Sequence, residues 1–227
     1  VVECQQPLAH LLRTCPGVDV VRVCGEPMPA FDYHATLMSL PAIFSMTVDT
    51  IPAPIPYVSP DAARVEHWRG ALAGGGTFKI GIAWQGSATY ARDRFRSIAL
   101  RHFAPLGRVP GVRLISLQMG AGREQLAPLA DSMPIDDLGE RLGDFYETAA
   151  IVKSLDLIVT CDSAAGHLAG ALGVPTWIAL PATPDWRWML NRDDSPWYPS
   201  VRLFRQRQPG DWEDVFQRME QALAARV

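Results

Sequence analysis

From residue 77 onward, short apolar segments alternate with segments of helical spacing, and this alternation limits the possible folds more than any other feature. The apolar segments cover residues 78–84, 112–117, 133–135, 155–160 and 174–180. The segments with helical spacing cover residues 100–107, 123–130, 144–154 and 164–172. Continuous apolar strands that alternate with helices are typical of a parallel sheet covered on both faces. The sequence therefore predicts an α/β fold.

Signals at the helix ends agree with this pattern. Asp144 is suited to the first turn or N-cap of one helix, and Gly173 to the C-terminal end of another. Residues 211–225 have apolar side chains at helical spacing after Gly210 and Asp211, which predicts an amphipathic C-terminal helix.

Residues 1–60 follow a different pattern. A strand at 1–3, a helix at 6–13 and a strand at 18–23 resemble an isolated βαβ unit, and a further helix is expected near 34–44. Prolines at 52, 54, 56 and 60 then disfavour regular structure and predict a stiff linker. We expect a partial N-terminal lobe and linker over 1–60 and a complete lobe over 61–227. That lobe begins with a helix at 61–72, which the glycines at 74–76 end. No strand–helix unit precedes the first strand, and the sequence does not begin with methionine. We therefore expect a piece of a longer protein.

Composition excludes several classes of protein. The net charge is −3 with no cluster of basic residues, which disfavours a nucleic-acid partner. No run of about 20 apolar residues is present, so we expect no membrane span. The spacing of Cys4, Cys15, Cys24 and Cys161 matches no metal site and predicts reduced thiols in a cytoplasmic protein, with a reactive Cys161 as the alternative. We expect no metal and no cofactor.

Ligands of open parallel sheets bind beyond the carboxyl ends of the strands, so the residues after each strand are the candidates for a site. The first long strand is followed by Gln85 and Gly86 and then by an arginine-rich loop containing Arg94 and Arg96. Guanidinium groups bind phosphates through paired hydrogen bonds, although such a loop can equally be a solvated surface. Gln118 follows the next strand. The turn at this position either contacts the base or ribose of a ligand or is an ordinary loop between a strand and a helix.

The strand at 155–160 leads into the sequence CDSAAGHLAG, which is the sharpest signal. Asp162 or Ser163 is expected to cap the following helix, and the small Ala164 leaves the first backbone N–H groups open. A helix N-terminus of this kind favours a pyrophosphate. His167 shares a helix face with Ser163 and is either a ligand of the same anion or a buried structural histidine.

Aromatic side chains are concentrated near the C-terminus, where five of the seven tryptophans lie between residues 177 and 212. Rings beside polar groups suit a base or sugar face, and Trp186 is the candidate for this contact. Core filling beneath a long loop is the alternative for these rings.

Taken together, these segments resemble the heptosyltransferase-type glycosyltransferases (glycosyltransferase family nine), and most closely the branch associated with bacterial tetratricopeptide-repeat proteins. The resemblance covers essentially the whole chain. Its most specific parts are KIGIAWQG, RDRFRS, ISLQ, DFYETAAIVKSLDLIVTCDSAAGHLAGALGVPTWIAL and PDWRWML.

The resemblance implies a GT-B-like fold of two Rossmann-like lobes, here a complete C-terminal lobe and an incomplete N-terminal one. The C-terminal lobe would bind a nucleotide-diphospho sugar. The family motif falls on Asp162, Ser163 and His167, and the family's basic residue falls on Arg96, where lysine is common. Ala164 stands where many members have glycine.

The activity implied by the resemblance is metal-independent, inverting transfer of a sugar to a hydroxyl of a glycan, lipid or protein. The family's acidic base lies outside this sequence, which leaves His34 as the candidate base on the acceptor side. The alternative is a nucleotide-binding module, or degenerate transferase, without transfer activity. A dinucleotide-dependent oxidoreductase fits less well, because no GxGxxG motif follows the first strand of the sheet.

Overall fold

In the computed structural model, which describes residues 1–74 and 78–227, the strands of the chain form two parallel sheets. The strands are β1 (Val2–Cys4), β2 (Val21–Val23), β3 (Phe78–Ala83), β4 (Val112–Ser116), β5 (Ile135–Asp137), β6 (Leu157–Cys161), β7 (Thr176–Leu180) and β8 (Val201–Arg205). The α-helices are α1 (Ala9–Leu12), α2 (Leu40–Ile43), α3 (Ala62–Ala71), α4 (Asp93–Arg96), α5 (Ala104–Gly107), α6 (Phe145–Val152), α7 (Ala164–Ala171) and α8 (Trp212–Ala224). Short 3-10 turns cover Gln6–Leu8, Leu37–Ser39, Val48–Thr50, Leu100–Phe103, Arg123–Gln125, Ala127–Leu129 and Trp186–Trp188.

The larger sheet has six parallel strands in the order β5-β4-β3-β6-β7-β8, so the predicted α/β fold with a parallel sheet is confirmed. Strand β3 pairs with β4 on one side and with β6 on the other. The chain therefore builds the sheet outward in one direction and then in the other. The point of reversal, between β3 and β6, is where an open α/β sheet leaves a crevice at its carboxyl edge.

Helices cover both faces of this sheet because its central strands are apolar on both sides. On one face, α3, α6 and α7 bury side chains such as Trp68 and Ile151. On the other face, α5 and α8 and the turn before α5 bury a second core, where the rings of Phe103 and Phe216 lie 4.5 Å apart.

Parts of the first sixty residues pack directly against the larger sheet domain, whereas most of residues 24–54 are exposed. Strands β1 and β2 form a parallel pair, and Leu11 of α1 enters the core that α6 and α7 share. The linker is also anchored, because Val58 is buried in that core and the backbone N–H of Tyr57 donates to the carbonyl of Ala171 at 3.2 Å. The linker is therefore ordered by contacts as well as by its prolines.

One predicted helix was wrong, one predicted strand is shifted, and one strand was missed. The predicted helix at 123–130 is two separate 3-10 turns, because Pro128 lacks the N–H needed to continue the helix. The strand predicted at 133–135 lies at β5, with Met133 buried before it. Strand β8 was not predicted, since Arg202 and Arg205 interrupt its apolar pattern. Both β5 and β8 are edge strands, where polar residues discourage pairing with other chains.

The predicted end signals of α6, α7 and α8 at Asp144, Gly173 and Asp211 are confirmed. The carboxylate of Asp144 caps α6 by accepting from the N–H groups of Tyr146 and Glu147 at 3.0 and 2.9 Å. Gly173 ends α7 with a positive φ of 70°, which glycine adopts without strain. Asp211 caps α8. The glycines at 75 and 76 lie outside the described residues. No helix within the described ranges is long and apolar enough to cross a membrane.

Replacing Asp144 by alanine is expected to lower the free energy of unfolding by about 1 kcal/mol, the usual cost of a lost helix cap. The two N–H groups at the start of α6 would then depend on water alone. Urea unfolding followed by circular dichroism measures the change, and Asp131→Ala, an exposed loop carboxylate, is the control. Equal stability of both variants would show that the cap contributes nothing.

Candidate functional site

A cleft of about 450 Å³ opens at the carboxyl ends of β3, β4 and β6, where the strand order reverses. It brings together six of the residues singled out in the sequence: Gln85, Gly86, Arg96, Gln118, Ser163 and Ala164. Its other walls come from α6 and the segment before it, and from Pro7 of the N-terminal segment. The cleft is therefore one site built from several separate loops.

Arg96 is held in place by its own loop. Its Nε donates to the buried carboxylate of Asp93 at 3.1 Å, and its guanidinium lies 4.6 Å from the ring centre of Tyr90. The hydroxyl of Ser97 donates to the other Asp93 oxygen at 2.7 Å. Among the described residues, the two terminal amino groups of Arg96 have no hydrogen-bond partner, so they are available to an anion in the cleft.

Gly86 allows this arrangement because the backbone passes directly over the ion pair. A β-carbon at this position would lie 2.4 Å from the Asp93 carboxylate and 2.6 Å from a terminal nitrogen of Arg96. The Gly86 N–H donates to Ser97 Oγ at 3.2 Å. Any larger residue at 86 must displace the guanidinium or the carboxylate.

The N-terminus of α7 is open toward the cleft. The predicted side-chain cap by Asp162 or Ser163 was wrong: Ser163 occupies the N-cap position, but its hydroxyl pairs with that of Thr160 at 2.9 Å. The N–H groups of Ala164 and Ala165 have no acceptor within the described parts of the chain, and both residues line the cleft. Free N–H groups at the positive end of a helix dipole favour a bound anion.

Gln118 has a structural task at the cleft floor. Its side chain is buried, and its Oε1 accepts from the backbone N–H groups of Trp84 and Gln85, both at 3.0 Å. Its Nε2 donates to the carbonyls of Gln85, Met119 and Ala121. Every polar atom of this amide is thus used to tie the loop after β3 to the loop after β4.

His167 lies beside the cleft and does not line it. Its Nδ1 is 3.1 Å from the hydroxyl of Tyr198, its Nε2 is 4.0 Å from the carboxylate of Asp162, and its ring stacks on Trp188. Burial lowers the pKa of His167 below its ordinary value, and Arg187 and Arg96 lower it further, against the opposing effect of Asp162 and Asp185. The imidazole is therefore neutral at neutral pH.

Asp162 lines a small recess that shares Arg96 with the cleft. The recess has about 40 Å³ of space, and its remaining walls come from the arginine-rich loop and the segment after β7. Asp162 is itself buried. Arg96 therefore connects the open end of α7 with the Asp162 carboxylate.

The structure places three candidate residues away from the cleft. Arg94 is exposed and lies over the ring of Phe95. Trp186 is 56% exposed and contacts Trp197 edge to face. His34 is exposed in the segment before α2, where its described aromatic contact is the ring of Phe31.

Two residues with clear roles at the site were missed in the sequence, and a third was recognised only as a helix cap. Asp93 stands three residues before Arg96, which is the spacing of neighbouring side chains on a helix. That spacing is the signal that could have identified Asp93 in the sequence. Tyr198 comes from the loop before β8 and belongs to the aromatic-rich C-terminal region, but no local signal paired it with His167. Asp144 was recognised as a cap, but its place in the cleft wall follows only from the packing of α6.

Cys161 is a buried structural thiol. Burial raises its pKa to about 12, so the thiolate required of a nucleophile or metal ligand is not formed at neutral pH. Within the described ranges, no three His, Cys, Asp or Glu side chains cluster as metal ligands would.

The chain shares the fold of the ADP-heptose lps heptosyltransferase II of E. coli, with a TM-score of 0.56 and 18% identity over 78% of this chain and 56% of that one. A family 9 glycosyl transferase from Veillonella parvula aligns with a TM-score of 0.49 and 15% identity, over 72% of this chain and 45% of that one. The architecture is thus an α/β fold with a parallel sheet matching that of a GT-B-like heptosyltransferase.

One curated relative is similar in sequence. Protein FlbA of Caulobacter vibrioides is 32% identical over 205 residues, which cover 87% of this chain and 34% of that protein. The chain thus spans about a third of the length of this relative. No protein-family model matches the sequence.

Proposed function

We propose that this cleft binds the diphosphate of a nucleotide-sugar donor and that the chain is the donor-binding part of a glycosyltransferase. The observation that carries the proposal is the shared cleft of two anion-binding elements, the uncapped N-terminus of α7 and the Arg96 guanidinium. The fold shared with the ADP-heptose lps heptosyltransferase II of E. coli supports the same chemistry.

The proposed reaction is a direct displacement at the anomeric carbon. The acceptor hydroxyl loses its proton to a base while its oxygen forms a bond to that carbon. The bond from the carbon to the diphosphate oxygen breaks, and the diphosphate leaves with the electron pair. Attack opposite the leaving group inverts the configuration. Arg96 and the N–H groups of Ala164 and Ala165 would stabilise the leaving diphosphate, so we propose that no metal is required.

A hydroxyl of a glycan, lipid or protein remains the expected acceptor, and His34 remains the proposed base. As the base, the exposed imidazole of His34 would have to reach the acceptor hydroxyl. The tetratricopeptide-repeat association and the cytoplasmic location remain predictions.

Binding of nucleoside diphosphates tests the proposal directly. Calorimetry or thermal-shift titration with ADP, UDP, GDP and CDP is expected to show one preferred ligand. The corresponding monophosphate should bind at least about tenfold more weakly, because it lacks one of the charge-assisted contacts. Equal binding of mono- and diphosphates, or no binding of any of the four nucleotides by the full-length protein, would contradict a diphosphate site.

A nucleotide-binding module without transfer activity is the second candidate. It is favoured by the use of Asp144, the carboxylate in the cleft wall, as a helix cap. Release of nucleoside diphosphate from the matching nucleotide sugar separates the two functions: turnover supports the transferase, and tight binding without turnover supports the module.

A further inference from the structure

The strongest feature outside the cleft is a chain of polar side chains that runs from the linker to Asp162. The Tyr57 side chain lies close to that of Tyr198. The Tyr198 hydroxyl lies 3.1 Å from Nδ1 of His167, and Nε2 of His167 faces Asp162 at 4.0 Å. Side chains from the loop before β8, helix α7 and the loop after β6 thus lie in series, and Tyr57 of the linker lies beside the first of them.

Tyr198 is fixed in this chain by the shape of α7. Its ring lies against Gly170, where a β-carbon would approach the ring atoms to 2.5 Å. The next residue, Ala171, accepts the backbone N–H of Tyr57. Both tyrosines are therefore tied to the last turn of α7, the helix whose first turn opens into the cleft.

The Asp162 carboxylate acts on the His167 ring electrostatically, because its 4.0 Å distance from Nε2 is longer than a hydrogen bond. An ionised carboxylate only accepts, so the nitrogen of His167 that faces Asp162 is favoured to carry the proton. A neutral imidazole has a single N–H, which leaves Nδ1 as an acceptor. Tyr198 must then donate to Nδ1, and burial raises the pKa of its phenol, so the proton is retained.

We propose that Tyr198 is a positioning residue that holds His167 as the neutral Nε2–H tautomer and, through it, orients the Asp162 carboxylate in the recess beside Arg96. The tautomer depends only on this chain of contacts. Its effect on a ligand rests on the proposed diphosphate site. A histidine with the proton on Nδ1 would present a lone pair to Asp162, and the two acceptors would repel each other.

Nitrogen NMR of labelled histidine tests the tautomer without any ligand. In the wild type, His167, assigned by the signal lost in His167→Ala, is expected to carry its proton on Nε2 and to titrate below the ordinary histidine pKa. The groups that act on this titration are Asp162, Asp185, Arg187, Arg96 and Tyr198.

Tyr198→Phe keeps the ring on Gly170 and removes only the donor. It should mix the two tautomers and raise the His167 pKa by about one unit, because the lost hydrogen bond stabilised the neutral form. Tyr33→Phe, whose ring is 93% exposed, is the matched control and should change neither property. A proton on Nδ1 in the wild type, or an unaltered tautomer in Tyr198→Phe, would overturn the proposal.

Ligand binding tests the second half of the inference. Tyr198→Phe is expected to weaken binding of the preferred nucleoside diphosphate about three- to tenfold, but to have no further effect when His167 is already alanine. An equal loss in both backgrounds would overturn positioning through His167. Failure of the wild type to bind any of the four diphosphates would count against the proposed function alone, since the NMR result decides the tautomer independently.

Discussion

Replacing Arg96 by alanine is expected to weaken binding of the preferred nucleoside diphosphate by about 10- to 100-fold, or about 1.5–3 kcal/mol. The guanidinium is already oriented by Asp93 and by the ring of Tyr90, so little side-chain freedom is lost when a phosphate binds. Calorimetry at fixed ionic strength measures the change, and the loss should become smaller in high salt.

Arg94 provides the matched control for this prediction. It carries the same charge two residues away but is exposed and lies outside the cleft lining. Arg94→Ala should therefore change the affinity less than about twofold, which is the scale of long-range electrostatics in salt. Arg96→Lys should lose part of the affinity, because lysine keeps the charge but not the paired donors. Equal losses in the two alanine variants would refute a specific contact by Arg96.

Replacing Gln118 by alanine is expected to lower the free energy of unfolding by about 2–4 kcal/mol, because each buried donor left without a partner costs about 1–3 kcal/mol. The backbone N–H groups of Trp84 and Gln85 would lose their shared acceptor, and Trp84 itself is fully buried. Denaturant unfolding of the purified variant measures the effect.

Gln125 offers a graded comparison within the same region. Its Oε1 accepts a single backbone N–H, that of Leu100, at 2.9 Å. Gln125→Ala should therefore cost roughly half as much as Gln118→Ala or less. Nucleotide binding should also fall in Gln118→Ala, since Gln85 and Gly86 lose their anchor, and remain nearly unchanged in Gln125→Ala. A smaller loss of stability in Gln118→Ala than in Gln125→Ala would contradict the structural role.

Much of the site was accessible from the sequence because parallel strands bring the residues at their carboxyl ends to one edge. The positions of Gln85, Gly86, Arg96, Gln118, Ser163 and Ala164 in the cleft follow from that rule. What the rule does not give is the direction of a side chain. Arg94 and Arg96 had the same local signal, and only the pairing with Asp93 distinguishes them.

For His167 on α7, too, the sequence pattern gave the position of the residue but not the direction of its side chain. Its spacing from Ser163 correctly placed both near the start of α7, but it did not reveal that the ring faces Trp188 and Tyr198. Tyr198 is 31 residues away in sequence, and contacts at such distances leave no local pattern. The wrong prediction of a helix at 123–130 has another cause. The proline that interrupts this helix is visible in the sequence, so no distant contact was needed to exclude it.

The sequence by itself determined the parallel sheet, most of its helices and the loops that form its carboxyl edge, since apolar periodicity and capping residues act over a few neighbouring positions. Only the tertiary structure decided which side chains face the cleft and which are used to build it. Those choices depend on packing and hydrogen bonds between segments far apart in the chain, such as the buried amide of Gln118 and the chain from Tyr57 to Asp162.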